Sequence, residues 1–191
     1  MKVKDTNCMA VLVNKENWLH KDYQAKDLVT VKVNFVSDVL EMSQKMRKEA
    51  AGALEKLFSA AKRKKMLLYA VSGYRSYERQ RELFKQNKKK DGEAANRYSA
   101  RAGQSEHQTG LAMDVTCEAV DFELCEDFAG TKEYEWLREN AHRFGFVIRY
   151  PREKEEVTGY RFEPWHLRYV GKKIAKELYE NELTLEEYGN K

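Results

Sequence analysis

A few side chains in this sequence have the types and spacing needed for metal-assisted hydrolysis. The stretch "SEHQTGLAMDV" (105–115) sets His107 seven residues before Asp114, and "EPWHLR" (163–168) sets Glu163 three before His166. A catalytic zinc site takes three protein ligands, drawn from imidazole and carboxylate, and keeps one position for water. His107, Asp114 and His166 are such a set. The separation of His107 from Asp114 is too long for one helical turn. It suits a loop that reverses at Gly110 and returns along a strand. In that strand Leu111 and Met113 alternate with Ala112 and Asp114, so an apolar face anchors it and the carboxylate points the other way. Pro164 argues against a helix through Glu163 and His166. Residues three apart on an extended chain face opposite sides unless a kink intervenes, and Pro164 supplies one. Glu163 then fits a general base that takes a proton from water and later gives it to a leaving amine. Arg75, at the exit of "MLLYAVSGYRS" (66–76), suits a carboxylate or an oxyanion. Each of these histidines follows an acid, Glu106 directly before His107 and Glu163 three before His166, whereas His20 and His142 have no such context. Spacing alone leaves a plainer reading open, in which each histidine is a satisfied core residue.

The elements that must position these residues can be read from periodicity and turn residues. "AVLVNK" (10–15) and "LVTVKVNF" (28–35) read as strands from their β-branched content. Residues 40–66 read as one helix, with Met46, Ala50, Ala53, Leu54, Leu57, Phe58 and Ala61 on one face. Strand 66–76 leads into helix 76–90, for which Ser76 is the N-cap. Residues 87–104 read as a loop, followed by a strand at 111–117. Segment 117–131 receives no assignment. A helix at 131–146 closes at Gly145, strands follow at 146–151 and 159–171, and one or two short helices fill 172–188. That order is α+β rather than a strict βαβ repeat.

Bulk properties narrow the function classes. The 191 residues fit one domain spanning 1–191. Hydrophobic residues make up 42% and can build a core, while 35% are charged, above the usual quarter. The net charge of +4 comes from 35 basic and 31 acidic residues, a mixed balance without the concentrated basic face that nucleic acid requires. Lys62–Lys65 and Lys88–Lys90 read as solvated helix ends. No run of about 18 apolar residues occurs, and the first residues hold no apolar segment of signal-peptide length. Cys8, Cys117 and Cys125 form no C-x-x-C pair, so free thiols are expected, with a Cys117–Cys125 bridge left open for an oxidising compartment.

The motifs Ser-x-His-x-x-Gly-x-Ala-x-Asp in "SEHQTGLAMDV" and Glu-x-Trp-His in "EPWHLRYVG", together with "SGYRSYERQ", resemble the zinc D-alanyl-D-alanine carboxypeptidases of the VanY type. The VanX/VanXY dipeptidases and the L,D-carboxypeptidases of the LdcB type are related to them. The resemblance runs from about Leu12 to Gly171. It implies an α+β fold of the hedgehog/D-Ala-D-Ala peptidase kind, with a central antiparallel sheet flanked by helices. It implies one zinc ion on His107, Asp114 and His166, with Glu163 as catalytic base and Arg75 polarising the scissile carbonyl. It further implies that Gln80 and Ser105 contact the terminal carboxylate or nearby peptide groups of the substrate, and that Trp165 lines the site behind His166. The activity implied is removal of the C-terminal D-alanine from a peptidoglycan stem peptide or its precursor. L,D-cleavage of tetrapeptide stems, a cytosolic D-Ala-D-Ala dipeptidase and a non-catalytic cell-wall module remain as alternatives. The expected place is the extracytoplasmic cell envelope if an export signal belongs to the protein, or else the cytoplasm. Trp18, His20 and Ala25 stand where such proteins often carry proline.

Overall fold

Two antiparallel sheets carry the molecule. The computed structural model describes every residue except Lys4, Asn190 and Lys191. In chain order the elements are β1 (Leu28–Thr30), β2 (Lys45–Arg47), α1 (Lys48–Arg63), β3 (Tyr69–Ser72), α2 (Tyr77–Asp91), β4 (Ala112–Thr116), α3 (Lys132–Asn140), β5 (Phe146–Tyr150), α4 (Glu155–Thr158), β6 (Glu163–Tyr169), α5 (Lys172–Glu180) and α6 (Leu185–Gly189). Strands β1 and β2 form a small pair, and the main sheet has the order β3-β4-β6-β5. All of its pairings are antiparallel, as the α+β expectation required.

The main sheet has one apolar face. Met113, Val115 and Leu167 project from it into a core shared with Ala50, Leu54, Leu57, Phe58 and Ala61 of α1. Those α1 residues recur at helical spacing, so burying them covers the sheet with one stripe of the helix. Phe128, from the segment without a sequence assignment, fills the same core and is fully buried. Its segment is built from two 3-10 turns, Glu118–Val120 and Glu126–Gly130.

Several elements depart from the sequence expectation, each because a tertiary partner claims the backbone. The helix expected over 40–66 begins only at Lys48, because residues 45–47 pair with β1 as Lys45↔Thr30, Met46↔Val29 and Arg47↔Leu28. The Arg47 side chain adds an ion pair to Asp27 at 2.9 Å. No strand forms over 10–15. Val11 and Val13 are buried there, but the Val11 carbonyl accepts from the Arg168 guanidinium at 2.7 Å instead of joining a ladder. The strand expected over 28–35 stops at Thr30 and resumes only as an isolated bridge between Phe35 and Ala70. The helix over 131–146 is α-helical to Asn140, then tightens into a 3-10 turn that ends at left-handed Gly145. Ser76 caps α2 as expected, its hydroxyl accepting from the Arg79 amide at 3.2 Å. All three cysteines are free thiols. Among the described residues, no helix is long and apolar enough to cross a membrane.

Candidate metal centre

The site is built on the polar face of the main sheet. Register pairs Ser72 of β3 with Asp114 of β4, and Asp114 with His166 of β6, so the three lie in a row across the strands. Directly paired residues on antiparallel strands project to the same side. Two irregularities shape the site: the first puts Ser72 into this row, and the second brings Glu163 toward it. From Ala70 to Ser72 β3 advances two residues while β4 advances one, from Val115 to Asp114. From Glu163 to Leu167 β6 advances four residues while β5 advances two, from Tyr150 to Ile148. The second irregularity contains Pro164, and a proline inside a central strand is tolerated at such a bulge because it has no amide proton to give. It re-phases the strand, so that Glu163 reaches His166 although three positions apart. The expected kink is therefore a bulge in β6.

His107 arrives from a different element. Residues Glu106–Thr109 form a 3-10 turn that ends at Gly110, whose φ of 71° is left-handed. A Cβ at Gly110 would lie 2.8 Å from Leu28 Cδ2, so both conformation and space call for glycine. This is the reversal anticipated between His107 and Asp114.

His107, Asp114 and His166 offer one ligand atom each, all within 4.8 Å of one another, and all three residues are buried. His107 Nε2 lies 3.3 Å from Asp114 Oδ2, and His166 Nδ1 lies 3.0 Å from Asp114 Oδ1. Tetrahedral zinc with bonds of about 2.0–2.1 Å would hold its donor atoms about 3.3–3.4 Å apart. The imidazole planes stand at 86° with centroids 4.9 Å apart. His107 Nδ1 lies 2.8 Å from the Gly73 carbonyl, which fixes the tautomer with Nε2 free to coordinate. Asp114 Oδ1 is buried, and its contact with His166 lacks hydrogen-bond geometry, so it accepts no hydrogen bond. An orphaned carboxylate oxygen between two imidazoles is costly in an apolar interior and is satisfied by a cation. The donor set thus fits zinc.

The charges around the cluster are strongly biased. Burial raises the Asp114 carboxyl, but the His107 and His166 imidazoles outweigh it and hold the carboxyl well below its usual range. Burial lowers His107. Burial also opposes the charged form of His166, yet contacts with Asp114 and Glu106 push it up to about 9. Glu163 stands outside the three-residue set, with Oε2 3.9 Å from His166 Nδ1. Burial pushes its carboxyl up to about 7, partly offset by His166.

Arg75 is held on two sides. Its Nη1 donates to Gln80 Oε1 at 2.8 Å and its Nη2 to Ser72 Oγ at 2.9 Å. Its charge acts on Asp114, Glu163 and His107. Gln80 is fully buried, and its amide donates to the Ala100 carbonyl, so both polar ends already have partners within the chain. Ser105 is buried at the start of the His107 turn. Trp165 is buried in the main hydrophobic core, next in sequence to His166.

Sequence reasoning noticed Glu106 only as the acid beside His107. In the structure its Oε2 instead lies 3.4 Å from His166 Nε2, while its Oε1 accepts from Arg149 and Arg168 at 2.7 Å each. Neither arginine carried a signal beyond being a charged residue inside an apolar strand.

Comparisons with known proteins show what the whole chain resembles. The family model described as VanY, D-alanyl-D-alanine carboxypeptidase, matches residues 43–172. The YodJ protein of Bacillus subtilis (strain 168) is 47% identical over 190 residues, covering 99% of this chain and 70% of that protein. Among solved structures, the LdcB LD-carboxypeptidase has a TM-score of 0.94 and 46% identity, covering 100% of this chain and 89% of that one. The vancomycin-resistance D,D-pentapeptidase VanY, solved in complex with Zn(II), has a TM-score of 0.75 and 33% identity, covering 95% and 99%.

Proposed function

The chain belongs to the VanY D-alanyl-D-alanine carboxypeptidase family, and on that premise we propose that it is a zinc-dependent carboxypeptidase that removes the C-terminal D-alanine from peptidoglycan stem peptides. The observation that carries this reading is the buried His107–Asp114–His166 cluster with Glu163 beside it. Zinc held there would polarise the scissile carbonyl and bring the pKa of bound water down to about 7. Glu163 takes the proton from the attacking water on its carboxylate and returns it to the leaving amino nitrogen of D-alanine. Arg75, braced by Gln80 and Ser72, donates hydrogen bonds to the oxygen on which negative charge develops. Gln80 contributes by fixing that guanidinium, because its own polar atoms are engaged. Ser105 supplies a hydroxyl near the terminal carboxylate, and Trp165 supports His166 from the core side.

The D,D-reaction acts on pentapeptide stems. A second reading, L,D-cleavage of tetrapeptide stems, is favoured by the higher identity and TM-score to the LdcB structure than to the VanY structure. Both release D-alanine, and both suit the extracytoplasmic cell envelope if the protein is exported, or the cytoplasm if it acts on precursors. The test is D-alanine release from dipeptide, tetrapeptide and pentapeptide substrates, with and without a chelator. Chelator-sensitive release from pentapeptide supports the first reading, and release from tetrapeptide alone supports the second. Release from none of them sinks the carboxypeptidase proposal.

A further inference from the structure

We propose, resting on the zinc reading above, that Glu106 is a positioning residue that aims the His166 imidazole at the metal, and that the Arg149–Glu186 pair ties this alignment to the C-terminal helix α6. A ligating imidazole is oriented by what its other ring nitrogen donates to, commonly a carboxylate or a backbone carbonyl. His107 uses the Gly73 carbonyl. His166 presents Nδ1 to Asp114, and the group next to its Nε2 is Glu106 Oε2, at 3.4 Å. Glu106 therefore touches the site twice, as the chain neighbour of one imidazole and the side-chain partner of the other.

The carboxylate is itself held rigidly. Oε1 receives Arg149 Nε and Arg168 Nη1, and none of the three side chains is more than 1% exposed. Arg168 Nε donates to the Tyr169 carbonyl, and its Nη2 to the Met9 and Val11 carbonyls. Arg149 Nη1 and Nη2 form a bidentate pair with Glu186, at 2.8 and 2.7 Å. Glu186 lies on α6, and its Oε1 also accepts from Asn14. The start of α6 is fixed by a reciprocal cap, the Thr184 amide donating to Glu187 and the Glu187 amide to Thr184 Oγ1. Two carboxylates and two guanidiniums balance in charge, and both arginine side chains are shielded from solvent. Buried ion networks of this kind commonly contribute little net stability relative to apolar packing. Fold stability alone therefore accounts poorly for placing four charges here, whereas alignment of His166 accounts for the one oxygen, Glu106 Oε2, that the arginines leave to it.

The test compares the full chain with Glu106→Gln and Glu186→Gln. Zinc affinity is measured by chelator competition, the cobalt(II)-substituted visible spectrum reports ligand geometry, and apo unfolding reports the fold. Expected are a ~10–100-fold weaker zinc Kd for Glu106→Gln with a changed cobalt spectrum, and a smaller loss, ~2–30-fold, for Glu186→Gln. A folded Glu106→Gln protein with wild-type Kd and spectrum overturns the inference, even if its apo form is less stable. If Glu106→Gln does not fold, Glu186→Gln decides alone, and a wild-type Kd and spectrum there overturn it. A wild-type chain that takes up no zinc overturns the functional reading and this inference with it. A zinc-binding wild type with indifferent variants overturns this inference only.

Discussion

In the proposed mechanism, Glu163 is the side chain whose surroundings bear most directly on rate. It lies against His166 but outside the ligand set, as a base should, and burial pushes its carboxyl up to about 7. A general base works in its ionised form. Activity is therefore present above the pKa of this group and lost as pH falls through it. A dication beside the carboxylate favours the ionised form and lowers that pKa, so the acid limb of kcat/KM is expected between the ordinary carboxylate value of 4.5 and about 7. Glu163→Gln is expected to lower kcat by ~10²–10⁴-fold, to remove the acid limb, and to leave zinc content near one ion per chain. D-alanine release measured across the acid range checks both, and a Glu163→Gln enzyme with wild-type turnover removes Glu163 from the role. At this scale the sequence was highly legible, because His107, Asp114, Glu163 and His166 all sit in short motifs. The partner of Glu106 was not. Adjacent residues on a 3-10 turn, with three residues per turn, point about 120° apart, so standing beside His107 in sequence carried Glu106 away from it and toward His166.

Strands and turns explain how four motif residues from distant positions converge. The alternation of Leu111 and Met113 against Asp114 could be read in advance, since a strand repeats every two residues, and both apolar side chains are fully buried in the core. The bulges in β3 and β6 could not, because an extra residue is defined only against a partner strand. Strand β2 was hidden for a related reason: Lys45–Arg47 continues the helical pattern of α1 and becomes a strand only through β1. Gly73, one residue past β3, shows what this packing demands. Its carbonyl holds His107, its amide donates to the Ser43 carbonyl at 2.7 Å, and a Cβ there would meet Lys45 O at 2.6 Å and Met113 Cε at 2.8 Å. A backbone oxygen cannot swing aside, so Gly73→Ala must displace β3 from the β2 segment and carry the His107 anchor with it. The expected cost is ~1–3 kcal/mol of stability together with weaker zinc binding, read from the denaturant midpoint and chelator competition. Gly130→Ala, where a Cβ meets nothing within 4 Å, is the control and is expected within ~0.5 kcal/mol of wild type. Equal behaviour of the two variants would refute the steric account.

Across the whole molecule, the metal cluster joins segments that are far apart in sequence. His107 and Asp114 come from the middle of the chain, His166 from β6, and the ion network behind them reaches the N-terminal segment through Arg168 and α6 through Arg149. Both terminal segments lay outside the metal-ligand motifs, and their link to the site runs through charges buried in strands, which hydrophobic patterning cannot anticipate. An ion bound at such a junction stabilises the native state alone, since the unfolded chain does not bring these ligands together. The stabilisation follows RT ln(1 + [L]/Kd), about 2.7 kcal/mol when free zinc is a hundredfold above Kd. For a chain of 191 residues, each kcal/mol corresponds to about 2–4 °C in Tm. Chelation is therefore expected to lower Tm by roughly 5–11 °C, and restored zinc to recover it. Calorimetry of the chelated and reloaded protein measures the shift directly. Asp114→Asn weakens the ligand set, so its Tm should sit close to the chelated wild-type value whether or not zinc is added. A chelated protein with an unchanged Tm would mean that no ion bridges these segments in the native state.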